Sequence, residues 1–184
     1  MTSIARHIAK APVNTWQLIS KGTLDPDDTA VSDLELTWTE DFERIEFIGC
    51  LRPVSNNINL RLRFSSDGST FVSTTTYKTG AARHRQGTGT DAFSNNGANA
   101  VQVAQDAGNT QWESVYTIIT LDGITQRSDD PVGQFQTRYQ DHAGVERCYV
   151  GGFRETSLSD IKGIRLDFAS GDIDSYNYVL RGQL

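Results

Sequence analysis

The chain has 184 residues, 37% hydrophobic and 22% charged, with a net charge of −6 and a pI of about 5.0. That is enough for one domain with a sizeable core, and too apolar for a disordered chain. The acidic balance argues against a general nucleic-acid binder, no apolar run approaches the ~20 residues a membrane-spanning helix needs, and residues 4–13 are too broken by Arg6, His7, Lys10 and Pro12 to form a signal peptide.

Residues 1–13 read as an arm. Ile4, Ile8 and Ala11 lie at helical spacing, and Pro12 ends any turn they form. The first 24 residues hold Arg6, Lys10 and Lys21 and no acid, a charge of +3, so the remainder carries −9 where the whole chain carries −6. A basic arm on an acidic body suits an acidic partner such as a neighbouring copy, against the plainer reading of a solvated terminus. Residues 15–22 predict a first strand, with Trp16, Leu18 and Ser20 on one face. After a turn at Asp25-Pro26-Asp27-Asp28, residues 30–38 resume alternation, with Leu34, Leu36 and Trp38 pointing one way. Residues 42–52 set Ile45, Phe47 and Gly49 against Arg44, Glu46 and Ile48.

Residues 57–77 predict strand, tight turn, strand. Ile58, Leu60, Leu62 and Phe64 alternate with Asn59, Arg61 and Arg63, Asp67-Gly68 supplies the positive φ of a hairpin, and Phe71, Val72 and Thr74 to Thr76 carry the return. A similar phrase recurs at Ile164-Arg165-Leu166-Asp167-Phe168, followed by Ala169-Ser170-Gly171-Asp172. With no third copy, the two phrases read as two sheet units and not as a solenoid.

Residues 79–111 are rich in Gly, Ala, Asn, Gln and Thr and read as one long loop, interrupted by a short strand near 100–104. Strand character returns at 112–121, then an Asp122-Gly123 turn leads to 124–127. Residues 133–140 and 145–153 pair across Asp141-His142-Ala143-Gly144, and 158–168 and 176–180 close the chain. About ten short strands without a long amphipathic helix predict an all-β fold: an antiparallel β-sandwich with jelly-roll connectivity, a closed barrel being the competitor. The expected organisation is the arm at 1–13, one sandwich domain over 14–184, and one long loop.

Chemistry is sparse. Gly87-Thr-Gly89-Thr-Asp-Ala92 matches a loose dinucleotide-binding string, but Phe93-Ser-Asn-Asn-Gly97 follows where a helix is needed. His7, His84 and His142 share no ligand spacing, and Cys50 and Cys148 lie in no metal pattern, so no cofactor and no metal is expected. The cysteines read as buried free thiols in a chain made in a reducing cytoplasm, with a cross-sheet disulfide as the alternative. Asp25, Asp27, Asp28 and Asp33, Asp129-Asp130, and Asp172 with Asp174 sit at turns, where Asp caps its own backbone. No carboxylate pair can be placed across a cleft and no nucleophile has a recognisable context, so no catalytic residue is assigned.

Arg83-His84-Arg85 offers a small cationic patch for an anionic sugar or an acidic partner surface, against the preferred reading of a solvated loop. Among the aromatics, Trp112 borders the long loop and is the candidate for sugar stacking, with the core as its expected place.

The phrases Trp16-Gln-Leu-Ile19, Phe42 to Phe47, Leu60-Arg-Leu-Arg-Phe-Ser-Ser-Asp-Gly68 with Ser69-Thr-Phe71, Ile164-Arg-Leu-Asp-Phe-Ala-Ser-Gly-Asp-Ile173 and Tyr178-Val-Leu-Arg-Gly182 together resemble the small β-sandwich virion proteins of tailed bacteriophages, the tail-fibre, head-fibre and decoration modules. The family's final strand usually ends in an aromatic-Gly phrase, where this chain has Arg181-Gly182. The resemblance implies a non-enzymatic structural role, frequently in trimers, at a virion surface that meets the host. It brings no catalytic residues. The expected partners are other virion proteins, through an arm carrying Arg6, Ile8 and Lys10, copies of the chain itself as a homotrimer, and host-surface glycan, with no nucleic acid and no membrane insertion. The alternative is a lectin-like carbohydrate-binding module using Trp112 and the 79–111 segment, and a glycan-cleaving enzyme ranks last.

Overall fold

The computed structural model describes residues 15–87, 89–124 and 131–184, so the arm at 1–13, with Arg6, Ile8 and Lys10, lies outside the described residues. Twelve strands form among them: β1 (Trp16–Leu24), β2 (Asp33–Thr37), β3 (Arg44–Pro53), β4 (Ile58–Ser65), β5 (Tyr77–Arg85), β6 (Gly89–Ala98), β7 (Val101–Ala107), β8 (Val115–Asp122), β9 (Val132–Gln140), β10 (Glu146–Glu155), β11 (Gly163–Phe168) and β12 (Ile173–Gln183). All pairings are antiparallel. Eight strands form a large sheet ordered β1-β12-β3-β8-β9-β10-β5-β6, and four form a small one ordered β2-β11-β4-β7. The pairings nest: β1 with β12, β2 with β11, β3 with β8, β4 with β7, alternating between the large and small sheets. The hairpins β5–β6 and β9–β10 are added inside this nest and widen the large sheet beyond β8.

The two sheets share one core in a sandwich-like arrangement, built by the alternation the sequence displays. In β3, Ile45, Phe47 and Leu51 are fully buried, while Glu46, Ile48 and Cys50 lie half-exposed on the other face. From the small sheet Leu60, Leu62, Phe64, Ile164 and Leu166 are likewise fully buried, and each such side chain contributes about 1.5–3 kcal/mol relative to exposure. Phe64 links the layers, its ring 5.4 Å from Phe153 and 5.7 Å from Tyr77. The β9–β10 ladder makes room for its rings with glycines: Phe135 lies over Gly151 and Phe153 over Gly133, each pair directly cross-strand. A Cβ on Gly151 would come within 2.6 Å of Phe135 and 2.7 Å of Ala81 Cβ.

Several expectations are corrected. The hairpin expected over 57–77 does not form. The Asp67 turn does: its carboxylate accepts hydrogen bonds from the Ser69 and Thr70 N–H groups and the Ser65 hydroxyl, which hold its pKa well below the usual range, and Gly68 has φ 75°. But β11 and β7 flank β4, and where β7 stops at Leu62 the return makes one backbone bond only, from the Val72 N–H to the Phe64 carbonyl at 2.9 Å, while the Phe64 N–H donates to the Tyr77 hydroxyl, so no second strand forms. Phe71 is instead buried against the Arg165 guanidinium, 4.5 Å above its ring. The two similar phrases are direct neighbours in one sheet, β4 against β11, with Leu62 opposite Leu166. The 79–111 loop is β5, β6 and β7; small polar residues suffice for the edge strand β6, most of whose side chains are exposed. Twelve strands therefore replace about ten. After the Asp122-Gly123 turn β8 pairs with β9, and residues 125–127 of the expected return lie outside the described residues. In β1 an irregularity between Leu18 and Ser20 puts them on opposite faces: Leu18 is 61% exposed, whereas Ser20 sits opposite the buried Leu180 and bonds the Tyr178 hydroxyl at 2.9 Å.

Candidate functional site

Antiparallel register places side chains from strands remote in sequence side by side on the outer face of the large sheet. One row runs Lys21, Val179, Ile48, Ile118, Gln136, Val150, Ala82 from β1 to β5, uncharged beyond its first member. The next row runs Thr23, Asn177, Cys50, Tyr116, Arg138, Cys148, His84. The 3-10 turn Gln111–Glu113 stands beside this second row just before β8. Glu113 anchors the turn: it is 7% exposed, its Oε2 accepts a hydrogen bond from the Thr110 N–H at 2.8 Å, and Gly108 leaves the space its carboxylate fills. The anchored turn carries Trp112 outward at 79% exposure, the highest of any large hydrophobic side chain described. The expectation that Trp112 sits in the core is thus overturned, because its place is on a turn ahead of the strand and not on the strand's inner face.

Three concavities follow the row. The first, about 570 Å³, is lined by Trp112, Ser114, Arg138, Gln140 and Glu146 over Tyr139 and Arg147. The second, about 470 Å³, shares Ser114 and adds Cys50, Arg52 and Tyr176. The third, about 530 Å³, shares Thr23 and Asn177 with the second and adds Tyr116, Ile48 and Val179. Together they make a trough across six strands, roughly 24 Å at the usual strand spacing. Tyr116 is 43% exposed within it.

The first concavity has a fixed floor. Arg147 is paired with Asp141 at 2.7 Å and with Asp106 at 3.0 Å. Burial works against the charge on Asp141, but hydrogen bonds from the Val145 and Ala143 N–H groups and from Arg147 prevail and hold its carboxyl below the usual range. Tyr139 donates to the Gln105 carbonyl at 2.5 Å, and burial drives its phenol far above its ordinary pKa. Among the described residues Glu146 is the only carboxylate lining that concavity. Among the described residues no three His, Cys, Asp or Glu groups gather as a metal site. The first concavity therefore offers an exposed indole, a guanidinium, an amide and a carboxylate, suited to holding a molecule by stacking and hydrogen bonds.

Arg138 is distinctive. Arg44, Arg52, Arg61, Arg63, Arg83, Arg147, Arg165 and Arg181 all form ion pairs, and Arg85 and Arg154 have partners, whereas Arg138 alone among the described arginines has none.

The structure separates the residues singled out in sequence. Strand alternation points Arg83 and Arg85 away from His84. Arg83 is held by Asp91 and by Gln105 and lies 6.0 Å over the Tyr149 ring. With Arg85 it lines a different recess, of about 350 Å³, that also contains Asp91 and Asp106. His84 is on the outer face, its Nδ1 3.2 Å from Thr90 Oγ1, and it ends the row that contains Arg138. Cys50 and Cys148 are half-exposed on that same row, not buried. Three strand steps separate them, roughly 14 Å, twice what a disulfide spans. Burial still raises the Cys50 thiol pKa, the Ser114 side chain opposing it.

Sequence reasoning missed Tyr116, Arg138, Gln140 and Glu146. One signal was present: Thr110-x-x-Glu113 is a capping-box pattern, which marks Trp112 as a turn residue and not a strand residue. No protein-family model matches the chain, and a search of curated proteins finds no match.

Proposed function

We propose that this protein is a non-enzymatic component of a tailed-phage virion: a jelly-roll sandwich that assembles with copies of itself and with other virion proteins and meets the host through its exposed surface. The observation that supports it is strand order. Setting aside the two added hairpins leaves β1-β12-β3-β8 over β2-β11-β4-β7, the order left when one long hairpin winds around itself into two sheets. That connectivity is common in capsid and lectin domains, which work by buried and presented surface. The family resemblance in sequence points the same way. In this reading residues 1–13 are the attachment peptide, the assembly is a homotrimer, and the protein is made in the host cytoplasm and resides in the particle. Antibody labelling of purified particles in the electron microscope tests it, and particles lacking the protein overturn it. Light scattering should give three times the 20.3 kDa chain. Removing residues 1–13 should keep the cooperative melt and abolish attachment to the particle.

A second reading, a lectin-like carbohydrate-binding module, is favoured by one observation: an exposed tryptophan beside a trough of sugar-compatible polar groups.

A further inference from the structure

We infer that the trough on the outer face of the large sheet binds an acidic glycan, whose carboxylate is taken by Arg138 and whose ring stacks on Trp112. The inference rests on the reading of the protein as a surface-recognising, non-enzymatic module, and names the ligand of that surface.

The described arginines are unevenly paired. This chain provides a partner for every described arginine but one, and the exception lines the same concavity as the most exposed indole. A guanidinium presents a planar fork of donors that fits a carboxylate in two-point fashion. An indole presents a rigid apolar face with little entropy to lose, which suits the C–H face of a sugar ring. Gln140, Glu146 and Ser114 complete the wall with an amide, a carboxylate and a hydroxyl, the groups that exchange hydrogen bonds with sugar hydroxyls. The concavity's 570 Å³ lies in the range of small-ligand sites, and its continuation past Cys50 toward Lys21 leaves room for further rings.

Two competing occupants fit less well. An extended acidic peptide would gain affinity by adding to a sheet edge, where backbone groups are unpaired. The concavity that holds Arg138 and Trp112 instead lies over β9 and β10, internal strands with neighbours on both sides, and only the far end of the trough, at Lys21, reaches the edge strand β1. A dense polyanion such as nucleic acid would meet a chain of net charge −6 and Glu146 inside the site itself. A glycan with one carboxylate per repeat satisfies Arg138 with less of that repulsion, because its charges are more widely spaced.

The test uses the full-length chain against immobilised hyaluronan and polysialic acid, each beside its carboxyl-reduced form, with poly-glutamate as the peptide polyanion. Binding should favour a native polysaccharide over its reduced form by roughly tenfold or more, as expected for a hydrogen-bonded charge pair. Arg138→Gln should erase that preference without weakening the reduced form further. Trp112→Ala should weaken both forms by at least about tenfold. Lys78→Ala, which removes the same unit charge far from the trough, should change neither. Thermal melts of all three variants should match the parent, which separates lost contact from lost fold. Equal binding of native and reduced forms, or a preference that survives Arg138→Gln, overturns the acidic-ligand assignment. Tighter binding to poly-glutamate assigns the trough to a peptide, and binding to none of the probes overturns the glycan inference. Particle labelling is independent of these outcomes: a protein found on particles but blind to glycans fails here alone, and a glycan binder absent from particles fails only as a virion component.

Discussion

On the outer face of the small sheet, charges stand in a closed ladder. Arg61 and Arg63 both reach Asp167, and Arg165 takes Glu35 and Asp33, so three adjacent strands are joined by ion pairs. On the outer face of the large sheet Arg181 pairs with Glu46, Arg52 with Asp174 and Arg44 with Asp122, all three involving β3 or its neighbours, the row from Val179 to Ala82 is uncharged, and Arg138 is the one described arginine without a partner. The difference lies in exposure. Asp167 is 8% exposed and Arg63 9%, so each would be costly without the other; Arg138 is open to water and costs nothing unpaired. One face uses its charges to hold strands together, and the other keeps a charge available.

Breaking the ladder should have the largest effect. Asp167→Asn leaves two largely buried guanidinium groups without their shared carboxylate. The expected loss is about 3 kcal/mol, a fall in Tm of roughly 6–12 °C for a chain of this size, read by urea and thermal unfolding at pH 7. A change below about 0.5 kcal/mol would mean that the ladder is ornament and that the two faces do not differ in kind.

Asp141 carries the next effect, because it fixes the floor under the trough. Its folded pKa lies below the unfolded value of about 4. It therefore stabilises fully above that value, and the contribution fades as pH falls through the folded pKa. Asp141→Asn should cost about 2 kcal/mol at pH 7, and the gap between parent and variant should narrow steadily from pH 5 to pH 2. Urea midpoints across that range check it, and a gap that widens with acid contradicts the assignment.

The third prediction contrasts the two faces of a single strand. Val150 points outward at 55% exposure, and its neighbour Gly151 points into the core beneath Phe135. Gly151→Ala should cost about 1–2 kcal/mol in chemical denaturation, since Phe135 and the Ala81 methyl have no free space to retreat into. A neutral result would show the large sheet to be more pliable than its ring-over-glycine packing implies.

What could be read in the sequence follows from what each feature depends on. β3 and the β9–β10 hairpin were legible because strict alternation and a short Asp-His-Ala-Gly turn are local signals. β5 and β6 were hidden because an exposed edge hairpin needs no large apolar residues. The return strand at 71–76 was misread because β7 and β11, from elsewhere in the chain, take most of both β4 edges and leave the return a single backbone bond, Val72 to Phe64. The candidate site was the least legible part. Its row draws single residues from β12, β3, β8 and β9, and only the assembled register makes Tyr116 a neighbour of both Cys50 and Arg138. The solitude of Arg138 is a property of the whole sheet, since no local pattern shows that a carboxylate is missing.

The smallest predicted effect is the most discriminating. If Arg138 is held in reserve for a ligand, its guanidinium contributes no stability, and Arg138→Gln should shift the unfolding free energy by less than about 0.5 kcal/mol. Arg61→Gln, by contrast, removes a group that bonds both Asp167 oxygens and should cost about 1–2 kcal/mol. The two substitutions are chemically identical and both lie mid-strand on an outer face, so propensity and side-chain size cancel in the comparison. What remains is the partner, together with the lower exposure of Arg61, whose side chain is 25% exposed. Parallel urea titrations read the difference directly, and equal losses would show that Arg138 has a structural partner in solution, removing the ground for treating it as the free half of a binding pair.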